Sequence, residues 1–173
     1  KFLSYMLNGA LHQAEIEYTY PGRWLREHPP VRTVKIRERT SWSCMEGVSR
    51  WCEECGCTAN GSWKRPLRNL MDKVAGLVDE QYEGMGRVWL HDPWTARNDY
   101  GRVLIQEQSF ADWKVEHCKC KLNEDETQRL EQLMRAQVER QRMYTSCGWF
   151  FEDFDRIEPR NNVRYAAHAL VLT

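Results

Sequence analysis

The spacing of apolar positions changes several times along the chain, and each change predicts an element. Phe2, Met6, Leu7 and Leu11 recur at helical spacing. From Glu15 to Tyr20 the period falls to two, with Ile16, Tyr18 and Tyr20 set against Glu15, Glu17 and Thr19, which predicts a strand. Pro21-Gly22 breaks it, and Trp24-Leu25 falls in a short helical turn ended by Pro29-Pro30. A second strand is predicted over 31–37, where Val34 and Ile36 share a face. Residues 40–63 show no period, and cysteine and tryptophan concentrate there together with Gly47, Gly56 and Gly61.

Helical spacing then resumes. Leu67, Leu70, Met71, Val74, Leu77, Val78 and Tyr82 form one stripe, beginning near Pro66 and ending at Gly84. Asp92-Pro93 is a strong helix start, because the carboxylate caps free amides and a proline at the first position loses no hydrogen bond. Ala96, Tyr100, Val103 and Leu104 would be the buried side of that helix. Ser109 is placed to cap a short helix through Trp113. Asn123 is placed to cap the longest one, with Leu130, Leu133, Met134, Gln137 and Tyr144 on one face until Gly148. Residues 163–172 form a last helix. The expected fold is mainly α: a helical bundle with a small N-terminal α/β piece of one or two strands and an irregular Cys/Trp-rich segment.

At 173 residues the chain can bury a core of its own. Lys+Arg and Asp+Glu number 25 each, so the zero net charge gives no electrostatic reason to expect nucleic acid or an anionic membrane as partner. No apolar run approaches the roughly 18 residues of a membrane span. The N-terminal residues lack a signal-peptide pattern, and a first residue of Lys1 reads as a cut point inside a longer gene product. Seven cysteines, an odd number without a secretion signal, favour a reducing, cytoplasmic setting of free thiols or metal ligands. Eight tryptophans either fill a core between helices or line a groove for a flat ligand such as a sugar ring.

Two segments carry candidate chemistry. Cys44, Cys52, Cys55 and Cys57 lie within fourteen residues. Thiolates two residues apart can share one tetrahedral zinc, and such an ion would hold an irregular segment that lacks regular hydrogen bonding. Free reduced thiols and a redox pair at Cys52-x-x-Cys55 remain open, although a thioredoxin-like pair needs a strand before it and a helix after it. The second segment, Tyr144 to Asp155, sets Trp149 and three phenylalanines beside Glu152, Asp153 and Asp155. That composition suits a carbohydrate site, and equally a helix end whose rings pack and whose acids face water. Adjacent Glu152 and Asp153 do not establish the roughly 5 to 9.5 Å separation of a glycosidase pair. Cys147 has no histidine beside it in sequence, which argues against a nucleophilic thiol.

Several separated motifs carry a family resemblance. They are Thr40-Ser41-Trp42-Ser43-Cys44 with Gly47, Arg50-Trp51, Cys55-Gly56-Cys57, Trp63 to Arg68, Asp92-Pro93-Trp94-x-Ala96-Arg97-x-Asp99-Tyr100, Tyr144 to Asp153, Ile157-Glu158 and Arg164-Tyr165-Ala166-Ala167. In this order over residues 31–172 they resemble the uncharacterised domain that follows the catalytic barrel in some family 57 glycoside hydrolase-like proteins. Residues 1–30, with Leu25-x-x-His28-Pro29-Pro30, are similar to the last α/β unit of that barrel. The resemblance implies a boundary between 1–30 and a helical accessory domain over 31–173. It implies a parent acting on α-glucans with retention, whose catalytic carboxylates lie upstream, so that this fragment supports the barrel and shapes a polysaccharide groove without catalysing alone. Trp42, Trp149 and Asp153 are the groove residues it suggests. For a metal it points to Cys44, Cys55 and Cys57, with Glu46 or Cys147 as fourth ligand. The family pattern often has histidine where Glu46 stands, and Cys52, Cys118 and Cys120 lie outside it. A zinc-stabilised structural or interaction module is the alternative function.

Overall fold

The computed structural model describes residues 18–173. The chain divides into two units, Lys1–Glu38 and Arg39–Thr173. In the first, α1 (Pro21–Glu27) starts with proline in its first turn and ends at His28, ahead of Pro29-Pro30. The Trp24 and His28 rings stack at 4.4 Å across one helical turn. The helix expected near Phe2–Leu11 and the start of the strand expected from Glu15 lie outside the described residues.

The expected strands are not seen among the described residues. Tyr18 to Tyr20 are non-helical and lead into α1, and residues 31–37 form no strand. Val31, Val34 and Ile36 are exposed. Alternation alone does not make a strand, because the backbone also needs a neighbouring segment to complete its hydrogen-bond ladder. The α/β expectation is therefore corrected: the described chain is helical, and its one β-like feature is an isolated antiparallel bridge between Leu90 and Cys118.

The second unit is built on two long helices. In α2 (Lys64–Trp89) the buried positions are Lys64, Leu67, Met71, Val74, Ala75, Val78, Tyr82 and Gly86, a stripe at three- and four-residue spacing. Leu70 and Leu77 fall at its edge and are exposed. The helix does not stop at Gly84. That glycine faces open space, where the weak helical preference of glycine costs about 1 kcal/mol and does not end a well-packed helix. Gly86 is the glycine with a packing role, since a β-carbon there would crowd Pro93.

Helix starts fall where capping chemistry puts them. α3 (Pro93–Asp99) opens on Asp92, whose carboxylate accepts the Thr95 N–H at 2.6 Å. The short α4 (Gly101–Leu104) continues it, with Ala96 and Tyr100 buried and Leu104 exposed. α5 (Phe110–His117) is capped by Ser109, and α6 (Glu124–Arg142) by a reciprocal capping box of Asn123 and Glu126. A single turn, α7 (Cys147–Phe150), precedes α8 (Ile157–Leu172).

The α2–α6 pair runs through two cores. One gathers Leu67, Met71, Val74, Val78, Met143, Trp149 and Ala166, where α7 and α8 pack. The other gathers Tyr82, Leu90, Tyr100, Trp113, Leu130 and Met134 beneath α3 to α5. Gly148 sits inside the first because Asn162 of α8 presses on it, leaving no room for a β-carbon. The buried Asn162 carboxamide is held there by donating to the Thr145 carbonyl at 2.9 Å.

Candidate metal centre

Residues 39–63 contain one 3-10 turn, Ser49–Trp51, and are otherwise irregular, so side chains bonding to backbone set their shape. Ser41 Oγ donates to the Gly47 carbonyl at 2.8 Å and accepts the Cys44 N–H at 3.1 Å. Gly47 adopts φ 77° against the Arg39 carbonyl, which no other residue could do without strain and collision. The Glu46 carboxylate then accepts the Gly56 N–H at 3.2 Å and joins the Cys44 loop to the Cys55-Gly56-Cys57 loop.

That join brings three sulfurs together. Cys44 Sγ and Cys57 Sγ are 3.8 Å apart, and the sulfurs of Cys44, Cys55 and Cys57 all lie within 4.8 Å of one another. A tetrahedral zinc with Zn–S bonds of about 2.3 Å spaces its sulfurs about 3.8 Å apart. Cys52 and Cys147 do not join this group, Cys118 packs against the other core, and Cys120 is exposed in a concavity beside it. Neither suggested fourth ligand belongs to it: the Glu46 carboxylate is engaged at Gly56, and Cys147 is exposed on α7.

A buried cation lies beside the thiols. Lys64, at the start of α2, is 0% exposed. Its ammonium donates to Thr58 Oγ1 at 3.4 Å, and that hydroxyl lies 3.8 Å from Cys55 Sγ. Among the described residues no carboxylate forms an ion pair with it. Burial holds the Lys64 ammonium below its usual range, opposed by the charge of Cys55. Burial also pushes the Cys44 thiol up. At Cys55 burial acts in the same direction but is outweighed by the Cys57 N–H, the Thr58 hydroxyl, the Cys44 thiol and Lys64, so this thiol falls below its ordinary value.

The centre is tied to the bundle through the aromatic–acid segment. Ala59 N–H donates to the Glu152 carboxylate at 3.4 Å, and the Trp63 indole N–H donates to the Glu152 carbonyl at 2.7 Å. Arg50 lies 4.8 Å over the Phe150 ring, with its Nε shielded and without a hydrogen-bond partner. An open concavity of about 280 Å³ lies alongside, lined by Cys57, Thr58, Phe150, Phe151, Asp153 and Arg156 among others.

The three groove candidates separate. Trp42 is 92% exposed, its ring 6.2 Å from Phe150. Asp153 lines the concavity. Trp149 is 1% exposed, stacked on Tyr144 within the core, and offers no face to a ligand. Lys64, Thr58 and Arg50 are not singled out as site residues by sequence reasoning, and the structure brings them to the thiols. Lys64 had one readable signal: it continues the Leu67–Met71–Val74 stripe three residues ahead of Leu67.

A second group, Asp99, Glu116 and His117, also falls within 4.8 Å. Arg102 already lies 3.5 Å from Asp99 and 3.7 Å from Glu116, so a cation occupies the position an ion would need.

The fold and site thus define a mainly helical domain with a three-thiol cluster at one end. The chain belongs to the family described as Domain of unknown function (DUF3536), whose model matches residues 60–173. The match covers the helical bundle and Lys64, and begins just after the three clustered cysteines. No curated protein matches the chain, and no solved structure matches it. No helix among the described residues is long and apolar enough to cross a membrane.

Proposed function

We propose that the chain is a metal-stabilised helical accessory domain, in which Cys44, Cys55 and Cys57 hold one soft divalent ion, zinc in first place. The observation that carries this reading is the convergence of three sulfurs within 4.8 Å, one pair at the spacing zinc imposes. The buried ammonium of Lys64 supports it, since no carboxylate pairs with it directly among the described residues and metal-bound thiolates would supply a close counter-charge. The ion would act on folding, replacing the missing hydrogen-bond ladder of residues 39–63 and fixing them against α2 and Phe150.

Limited trypsin digestion tests this. Cleavage after Arg50 should be slow in the metal-loaded protein and accelerate at least about tenfold with a chelator, while helical circular dichroism holds. Equal cleavage rates with and without chelator would sink the proposal.

The resemblance to the domain following family 57 barrels supplies the wider setting: an accessory part of a glycan-active protein, packed on a preceding barrel and edging its α-glucan groove. A specific observation favours such an edge. The exposed Trp42 ring and the Phe150–Asp153 concavity present ring faces and a carboxylate on one side of the domain. Trp42 and Asp153 carry this second reading, and Trp149 is left out of it. An α-glucan oligosaccharide should quench the fluorescence of the intact protein and not of Trp42→Ala; equal quenching in both would remove Trp42 from the groove.

A further inference from the structure

Resting on the metal centre just proposed, we infer that its ion keeps one coordination position open to solvent and takes an exchangeable monodentate ligand there, water at rest and a small-molecule thiolate when one is present. Four-coordinate zinc with four protein ligands is a closed structural site, whereas three protein ligands leave a position for water or an incoming group. Among the described residues the converging ligand atoms number three, Cys44, Cys55 and Cys57. The neighbouring polar groups stand outside that convergence. The Glu46 carboxylate accepts from Gly56, the Glu152 carboxylate accepts from Ala59, and Lys64 as an ammonium has donors only.

The open side is identified by exposure. Cys44 and Cys55 are shielded, whereas Cys57 is exposed and forms part of the wall of the 280 Å³ concavity. A ligand on the vacant position would project into that space, between Thr58, Phe150 and Arg156. Its class follows from the donors and charges present. An ion selected by three thiolates is soft, and a fourth thiolate completes the all-sulfur tetrahedron such ions favour. Arg50 and Arg156 line the same concavity together with Glu152 and Asp153, so charge there is balanced and the softness of the ion is what selects a sulfur donor.

Cobalt(II) in place of zinc makes the coordination visible. The full chain, reduced with a phosphine and freed of small thiols, is loaded with one equivalent of cobalt and titrated with 2-mercaptoethanol. The sulfur-to-cobalt charge-transfer band should rise saturably by about one third, as a fourth Co–S bond joins three. A charge-transfer band that does not respond to the thiol would overturn the open position while leaving the metal centre standing. The absence of any charge-transfer band would overturn the metal centre itself.

Discussion

The Lys64 ammonium donates to the Thr58 hydroxyl at 3.4 Å, and the same hydroxyl lies 3.8 Å from the Cys55 sulfur. A lysine on the buried stripe of α2 is thereby set one hydroxyl away from the thiol cluster. The arrangement makes the effect of removing it depend on the metal. In the metal-loaded protein, Lys64→Met should weaken zinc binding about tenfold, the usual scale for losing a group just outside the ligand shell. In the metal-free protein the same change removes a desolvated cation and should leave stability unchanged or raise it. Competition with a chromophoric chelator and urea denaturation, each with and without metal, measure the two effects. A loss of stability equal in both states would assign Lys64 a packing role only.

Gly148 and Asn162 are coupled by close approach. Gly148→Ala should cost about 2–4 kcal/mol, since its methyl group would displace the Asn162 carboxamide from Thr145 and disturb the packing around Trp149. In the double variant with Asn162→Ala the penalty of the methyl group should largely vanish. Additive losses in urea melts would show that the two residues act independently.

The capping box of α6 gives a smaller, cleaner effect. Asn123→Ala removes the acceptor of the Glu126 N–H at 2.9 Å and should lower stability by about 1 kcal/mol. No change in the denaturation midpoint would mean that water caps this helix equally well.

Acid sensitivity should trace in part to Asp99. The His117 hydrogen bond at 2.9 Å, with Arg102 alongside, holds its carboxyl below the ordinary value of 3.8. The unfolded chain therefore takes up this proton first as the pH falls, so the stabilisation by Asp99 is complete above about pH 5 and is lost below pH 3.8 as the folded carboxyl protonates. The stability gap between the wild type and Asp99→Asn should accordingly narrow as the pH falls from about 5 to below 3.8. A gap that stays constant over that range would show that the Asp99 charge is irrelevant.

The sequence carries some of this architecture openly. Asp92-Pro93, Ser109 and Asn123 announce their helices because capping is local chemistry, readable within four residues. The spacing from Leu67 to Tyr82 gives the buried face of α2 for the same reason. Gly84 misleads about the end of that helix, since only tertiary packing decides whether a glycine terminates it or merely faces solvent. The alternation over 31–37 misleads because strand formation depends on a partner that local pattern does not reveal. Tryptophan is equally mute about burial: Trp42 and Trp149 both sit in motif-rich segments, yet one is exposed and the other enclosed. Cys52 lies three positions from Cys55 and stays apart, whereas Cys44, eleven positions away, reaches the cluster through the Ser41 and Glu46 bonds. The choice among cysteines was thus set by loop hydrogen bonds and not by spacing.

The most direct test of the metal centre is elemental analysis of the purified chain, paired with a count of reactive thiols before and after chelation. The account predicts close to one zinc per chain, with the thiols of Cys44, Cys55 and Cys57 unreactive until the ion is withdrawn. A protein free of metal, whose three clustered thiols react as readily as exposed Cys120 and Cys147, would contradict it.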